Sequence, residues 1–244
     1  MKRLSLFQRP YFAHRILEVG GGHNPYAGVT HAVDKFPNDD TQRAAGIRLD
    51  PSVEFREGDL EAIPFPSEPQ FDFIYVSHVI EHVARPEAAI SEINRVASRG
   101  YLETPSPLRE QLACPMPFDS IKDFHSLFCW MEPENSNVHV IHKNSDRIGE
   151  FCDCSNGKLA EKLFNAVRKQ GIDVEPLLPR NAKTSHMVFS RTIQLIPHHN
   201  FRSACRDGHC AYQSTQEALL WAAAPRRWIG ERFGRLNQIL SRDL

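Results

Sequence analysis

The sequence predicts an α/β fold built on a doubly wound, mostly parallel sheet. Short apolar or alternating runs typical of strands recur along residues 15–104, and a clear helical pattern lies between the last two of them. Glycines and acids follow several of these runs directly. Sheets of this kind bind ligands at the carboxyl ends of their strands, so the residues that follow each strand form the candidate site.

Composition excludes several classes of protein. The chain has 244 residues, of which 41% are hydrophobic and 24% charged, which is ordinary for a globular protein and excludes a disordered or fibrous chain. The formal net charge of -1 argues against a long nucleic acid as partner. No apolar run approaches the roughly 18–20 residues of a membrane span, and residues 1–10 lack the apolar middle of a secretory signal. We therefore expect a cytoplasmic protein, while the oligomeric state is not predicted.

Five strands and one helix are predicted in the first 105 residues. The strands cover residues 15–20, 30–34, 53–57, 71–76 and 100–104. The helix covers residues 86–97, because Ile90, Ile93 and Ala97 fall at helical spacing and Pro86 suits a first turn.

The second half of the chain has a less regular pattern. We predict a main domain over residues 1–197 with a cap inserted at about 105–150, and an extension over 198–244 with an amphipathic, helical tail. Within these, the sequence predicts a hairpin over 138–151, a helix over 156–170 and a late strand over 186–196. The aromatic residues of 105–135 are interpreted either as a substrate lid or as the core of the cap. The basic residues of the tail are interpreted as a solvated helix face.

Six cysteines are present, and no disulfide framework is needed in a chain of this length. Two pairs, Cys152-x-Cys154 and Cys205-x4-Cys210, could form a zinc site with help from His209. The spacing is poor for structural zinc, which favours C-x2-4-C pairs. We therefore interpret all six as isolated, reduced cysteines.

The strongest local signal is the glycine-rich segment that follows the first strand, ILEVGGGHNP at residues 16–25. Glycines there allow positive φ and close approach of a ligand to the backbone. A dinucleotide site would need a third glycine where Pro25 stands, and an acid about 20 residues on. Asp34 follows Gly22 by only twelve residues. NAD binding is therefore disfavoured, and the lysine of a Walker loop is absent.

Five segments carry a family resemblance in order. They are LEVGGGHNPY at 17–26, AVDKF at 32–36, EGDLEAIPFP at 57–66, FDFIYVSHVIEHV at 71–83 and GYLETPS at 100–106. In these segments the chain resembles the class I S-adenosylmethionine-dependent methyltransferases, in particular the type 11 group, over roughly residues 15–105. The resemblance implies the Rossmann-like methyltransferase fold with S-adenosyl-L-methionine as cofactor.

The resemblance also implies roles for individual residues. Glu18 and the glycine backbone would hold the amino-acid end of the cofactor, and Asp34 would accept both ribose hydroxyls. Asp59 would take the adenine amino group, while Lys35 and Phe36 would flank the ring. The full set implied for cofactor binding is Glu18, Gly20, Gly21, Gly22, Asn24, Asp34, Lys35, Asp59, Leu60 and Ser77.

Three histidines are candidates for the catalytic base that an oxygen nucleophile needs, namely His78, His82 and His125. On a helix, His78, Glu81 and His82 would share one face and could bind a divalent metal, as a similar E-x-x-E-H does in some methyltransferases. Here His78 stands in place of the first Glu. Because the ligand set is incomplete, we predict no metal.

The predicted function is methyl transfer to a small-molecule or sugar-type acceptor, at oxygen. Three alternatives stay open. They are an RNA methyltransferase with metal-assisted 2′-O transfer, a nucleotide-linked oxidoreductase, and a non-catalytic module that binds the cofactor. Nucleic acid is the less favoured partner because the chain carries no basic excess.

Overall fold

The computed structural model describes residues 10, 12–23, 25–38, 46–68, 70–112, 125–143, 149–170, 178 and 183–213. The chain forms two compact units. Unit 1 comprises Met1–Thr104, Met131–Val138 and His186–Ile196, and unit 2 comprises Pro105–Trp130, His139–Ser185 and Pro197–Leu244. This division differs from the predicted boundary at residue 197, because segments from before and after that point share one core in unit 2.

Nine strands and four helices are described. The strands are β1 (Ile16–Val19), β2 (His31–Asp34), β3 (Glu54–Glu57), β4 (Phe73–Ser77), β5 (Gly100–Pro105), β6 (Leu127–Glu132), β7 (Asn137–His142), β8 (Thr184–Phe189) and β9 (Gln194–Pro197). The helices are α1 (Pro86–Val96), α2 (Pro107–Leu112), α3 (Ser155–Gln170) and α4 (Phe201–Arg206). None of these helices is long and apolar enough to cross a membrane.

A six-stranded sheet of order β3-β2-β1-β4-β5-β8 confirms the predicted doubly wound fold. The pairs β1–β2, β1–β4, β2–β3 and β4–β5 are all parallel. Strands β1, β4 and β5 are fully buried, whereas the edge strand β3 is exposed along its length. Because β2 and β4 flank β1 on opposite sides, the strand order reverses there, and a crevice opens at the carboxyl ends of these strands.

Helix α1 confirms the predicted amphipathic segment in unit 1. Pro86 begins it, and Ala89, Ile90 and Ile93 are among the residues that bury its apolar face. On the same helix, the Asn94 side-chain amide donates to the carbonyl of Ile193 at 2.9 Å and accepts from its N–H at 2.9 Å. This pair of bonds fixes the chain just before β9.

Unit 2 is built around its own apolar core. The core holds residues of α2, β6, β7, α3 and α4, and its largest members include Phe128, Trp130, Phe151, Phe164, Phe201 and Tyr212. Asn200 caps α4 by accepting the N–H of Ser203 at 2.7 Å, and the Ser203 side chain completes a capping box. Residues 198–213 therefore belong to the same body as α3. The predicted helical tail beyond residue 213 lies outside the described residues.

Two local predictions in the second half are wrong. The single strand predicted over 186–196 is two strands, β8 and β9, which belong to different sheets, since the Asn94 bonds to Ile193 hold the chain between them. The first part of the hairpin predicted over 138–151 is strand β7, and its partners are β6 and β9 in a three-stranded sheet. For Phe128 and Trp130 the structure supports the core interpretation, because both are buried among apolar neighbours.

The interpretation of the cysteines as isolated is also wrong. The sulfur atoms of Cys152, Cys154, Cys205 and Cys210 all lie within 4.8 Å of one another in unit 2. Cys129 is buried in β6 and lies outside this group, and Cys114 lies outside the described residues. Poor spacing argued against this grouping of the two pairs, but spacing along the chain does not show that the start of α3 and the end of α4 pack on one core.

Candidate functional site

A cavity of about 310 Å³ opens in unit 1 at the carboxyl ends of β1 and β2. It extends along the loops that follow β3 and β4, as expected for a sheet whose order reverses at β1. Its lining residues are Val19, Gly20, Gly22, Asp34, Lys35, Phe36, Gly58, Asp59, Leu60, Glu61, His78, Val79, His82 and Val83. The structure thus brings together most of the residues that the sequence singles out. Asn24 lies outside the described residues.

The glycine turn after β1 forms one wall of the cavity. Gly20 and Gly22 have φ values of +68° and +55°, a backbone conformation that glycine adopts without strain. A Cβ on Gly21 would lie 2.6 Å from the Glu18 carboxyl carbon. The Glu18 carboxylate is buried against this turn and accepts the Tyr26 N–H at 2.7 Å. Glu18 therefore supports the loop and is not among the cavity-lining residues.

Asp34, at the end of β2, faces the cavity. Its Oδ1 accepts the N–H of Phe36 at 2.9 Å, which forms an Asx turn and fixes the start of the loop. Lys35 and Phe36 also line the cavity, with the Lys35 ammonium 5.4 Å from the centre of the Phe36 ring. This end of the cavity thus presents a carboxylate beside an aromatic face.

Asp59 also lines the cavity and forms an ion pair with Lys35. The Lys35 Nζ lies 2.7 Å from Asp59 Oδ2, and the N–H of Glu61 donates to Asp59 Oδ1 at 3.0 Å. Partial burial on its own raises the pKa of Asp59, but the hydrogen bonds and the charge of Lys35 outweigh it and hold the pKa below its usual value. Asp59 is therefore an ionised acceptor at neutral pH, with buried Leu60 beside it in the lining.

His78 follows β4 directly and has a φ of +58°. This left-handed conformation is uncommon for a residue other than glycine and is a frequent mark of functional sites. Its Nδ1 lies 3.2 Å from Glu81 Oε1, and its Nε2 lies 3.4 Å from Glu103 Oε1. The imidazole is therefore held between two carboxylates at the edge of the cavity.

The two carboxylates decide the charge of His78. Burial lowers the pKa of the imidazole, but the hydrogen bonds and charges of Glu103 and Glu81 dominate and raise it to about 9. His78 is therefore an imidazolium at neutral pH and has no free nitrogen lone pair to accept a proton. The predicted role of His78 as catalytic base does not fit this environment, whereas a role as a fixed positive charge at the edge of the cavity does.

The raised pKa predicts a pH-dependent contribution to stability. A group whose pKa is higher in the folded state stabilises the fold fully below its unfolded pKa, here 6.5, and loses that effect as pH rises through about 9. We expect His78→Asn to lower the free energy of unfolding at about pH 6 and to do so much less at about pH 10. Urea denaturation at both values measures the difference. His142→Asn, at an exposed position, is the control. If His78→Asn lowered the free energy of unfolding by the same amount at both pH values, the prediction would be contradicted.

Glu103 connects His78 to a buried polar network. Ser77 donates to Glu103 Oε1 at 3.3 Å, and the Tyr101 hydroxyl donates to Glu103 Oε2 at 2.5 Å. Tyr101 stacks on Tyr75, with ring centres 4.9 Å apart. Ser77 is buried in this network and is not among the residues that line the cavity. Ser77 therefore supports Glu103, which in turn faces His78.

The predicted helix face of His78, Glu81 and His82 does not form. Only Ile80–His82 is helical, as a single 3₁₀ turn, because the left-handed backbone of His78 prevents a helix from beginning there. Glu81 is buried and faces His78, while His82 is exposed and lines the cavity. His82 is therefore the cavity-lining histidine that keeps the role of candidate base.

His125 belongs to unit 2, where it has structural partners. Its Nδ1 lies 2.9 Å from Glu110 Oε2, and the buried Lys143 ammonium is paired with the same carboxylate. Burial raises the pKa of Glu110, but His125 and Lys143 together lower it to about 2. An ionised Glu110 held by two partners in this way indicates a structural ion pair, so His125 remains only a sequence-based candidate for catalysis.

Sequence reasoning did not single out Glu103, Tyr101 or Val79. Glu103 lies in GYLETPS, inside β5 and opposite Ser77 of β4, so an acid near the carboxyl end of a central strand was a usable signal. Val79 fills the space beside Gly20, where a Cβ would lie 2.5 Å from its Cγ2. No pattern in the sequence marks that contact.

Part of this chain is similar to known proteins. Residues 17–102 match the model of a methyltransferase domain family, and no curated protein matches the chain significantly. Among solved structures, a S-adenosylmethionine-dependent methyltransferase of Thermotoga maritima is 29% identical over 39% of this chain and 45% of its own, with a TM-score of 0.30. One from Mesorhizobium loti is 19% identical over 40% and 49%, with a TM-score of 0.31. The chain thus spans less than half of the length of each, and the family match is the informative finding.

Proposed function

We propose that the protein transfers a methyl group from S-adenosylmethionine to a small-molecule or sugar-type acceptor, at oxygen. The match of residues 17–102 to a methyltransferase domain family supports the methyl transfer. The observation that carries the proposal is the cavity in unit 1. It lies at the carboxyl ends of β1 and β2, within the matched segment, and combines a glycine turn with the ionisable side chain of Asp34.

The residues of the cavity fit the cofactor. Gly20 and Gly22 line the cavity with backbone at positive φ, and Asp34 offers a carboxylate that can accept two ribose hydroxyls. Lys35, Asp59 and Leu60 would surround the base. The proposed assignment of Glu18 changes from direct contact to support of the turn.

When bound, S-adenosylmethionine supplies a methyl group activated by a sulfonium. The chain must then hold the acceptor in line with the departing methyl group and keep water out. The imidazolium of His78, whose two N–H groups face Glu81 and Glu103, can attract an acceptor oxygen through its positive charge and so orient it. His82, exposed on the same cavity, can take the proton that a hydroxyl acceptor loses.

The charge of the lining favours a small acceptor over RNA. Three acidic residues, Asp34, Asp59 and Glu61, line the cavity, and Lys35 and the His78 imidazolium oppose them. Lys35 is itself paired with Asp59. A polyanion needs unpaired cations at its phosphates, whereas the His78 imidazolium, like Lys35, already faces carboxylates. A neutral or cationic acceptor meets no such electrostatic penalty.

Two measurements test the proposal. Isothermal titration with S-adenosylhomocysteine should show one site with micromolar or tighter affinity, whereas NAD should give no heat. Transfer of a labelled methyl group should then occur to a member of a panel of small hydroxyl compounds and not to RNA. Binding of NAD alone would overturn the cofactor assignment, labelled RNA would overturn the acceptor, and cofactor binding without any transfer would indicate a binding module.

A further inference from the structure

We propose that Cys152, Cys154, Cys205 and Cys210 form a structural zinc site in unit 2. The site is separate from the cavity in unit 1 and does not depend on the function proposed above. It is carried by the convergence of four thiol sulfurs from two distant parts of the chain, all within 4.8 Å of one another.

The sulfurs lie close enough together to share one tetrahedral ion. The Sγ of Cys152 lies 3.1 Å from that of Cys154 and 3.7 Å from that of Cys210, and Cys154 and Cys210 are 3.4 Å apart. Four thiolates around zinc, with Zn–S bonds of about 2.3 Å, have sulfurs about 3.8 Å apart. A disulfide needs about 2.05 Å, so none of these contacts is a bond. An iron–sulfur cluster would hold its ligands farther apart, since several atoms lie between them.

The surroundings suit a closed structural site. Cys152 is buried in the apolar core of unit 2, and Cys154, Cys205 and Cys210 pack against that core. Four cysteine ligands leave no open coordination position, which is typical of structural zinc rather than catalytic zinc. The ion would join residues 152–154 to residues 205–210 and so hold the start of α3 to the end of α4.

The backbone around the sulfurs is arranged for thiolates. The N–H of Gly157 donates to Cys154 Sγ at 3.4 Å, in the first turn of the sixteen-residue helix α3. A Cβ on Gly157 would lie 2.1 Å from the Cys152 carbonyl oxygen and 2.5 Å from its sulfur. Only glycine at position 157 allows the first turn of α3 to lie this close to Cys152. The helix dipole adds positive potential, which offsets part of the charge that four thiolates leave after one divalent ion binds.

Metal analysis of the purified full-length chain tests the site. We expect elemental analysis by mass spectrometry to find one zinc per chain after dialysis, and X-ray absorption at the zinc edge to show four sulfur neighbours at about 2.3 Å. Cys152→Ser and Cys210→Ser should lose the zinc, while Cys129→Ala, which removes a buried thiol outside the group, should retain it.

If the serine variants do not fold, the site can still be tested on the wild-type protein. Replacement of zinc by cobalt(II) should produce the intense thiolate charge-transfer absorption of a tetrahedral four-sulfur site. The proposal is overturned if protein from zinc-supplemented cells carries no metal, if it carries iron, if nitrogen replaces a sulfur ligand, or if Cys129→Ala loses the zinc as well. Because the readout is metal content, it is independent of titration with S-adenosylhomocysteine.

Discussion

Asp34→Asn is expected to weaken binding of S-adenosylhomocysteine roughly 100-fold. The substitution removes the negative charge and one acceptor at the position proposed to hold both ribose hydroxyls. Hydrogen bonds to a charged group contribute about 1.5–3 kcal/mol each, and about 2.8 kcal/mol corresponds to a hundredfold change in affinity. The side-chain oxygen of asparagine can still accept the N–H of Phe36, so the turn and the thermal stability should be preserved. Calorimetric titration measures the affinity.

The chain offers a closely matched control for this substitution. Asp50 makes the same Asx turn, with its Oδ1 accepting the N–H of Ser52 at 2.9 Å, but it lies in an exposed loop and does not line the cavity. Asp50→Asn should bind S-adenosylhomocysteine as the wild type does. Equal affinity in Asp34→Asn and wild type would contradict the ribose assignment, and equal loss in both variants would show that the effect is not local.

The first half of the fold could be predicted because its signals are local. Each central strand is short and buried along its whole length, and α1 carries its own proline start and apolar stripe. The order of these elements then fixes where their ends meet. The division between β8 and β9 could not be predicted, because it depends on Asn94, about a hundred residues earlier in the chain.

The site was predictable in position and less so in chemistry. Asp34, Asp59 and His78 line one cavity because Asp34 ends β2 and the other two closely follow β3 and β4. The charge of His78 depends on Glu103, which approaches it only because β4 and β5 are neighbours in the sheet. Spacing along the sequence indicated a base, whereas the packing of two carboxylates around the ring indicates a cation. The polarity of a side chain can be taken from the sequence, but its pKa depends on tertiary neighbours.

Gly20→Ala is expected both to destabilise the protein and to weaken cofactor binding by more than about 10-fold. An L-residue in the left-handed conformation of Gly20 costs roughly 1–2 kcal/mol. In addition, the new Cβ would lie 2.5 Å from Val79 Cγ2. The Gly20 N–H donates to the Val33 carbonyl at 2.8 Å, so the backbone is held and the strain passes to Val79, another residue of the cavity lining.

Gly28→Ala is the control that separates the loss of folding stability caused by backbone strain from the loss of cofactor affinity. Gly28 also has a positive φ, +102°, but a Cβ there would meet nothing closer than 3.9 Å, at Tyr26. We expect both variants to lower the free energy of unfolding in urea, and only Gly20→Ala to lose affinity for S-adenosylhomocysteine by calorimetry. If Gly28→Ala lost affinity to the same extent, strain anywhere in the segment after β1 would suffice. Selective loss in Gly20→Ala instead requires that the cofactor lies against the turn itself, because the two substitutions differ chiefly in whether the added methyl group enters the cavity wall.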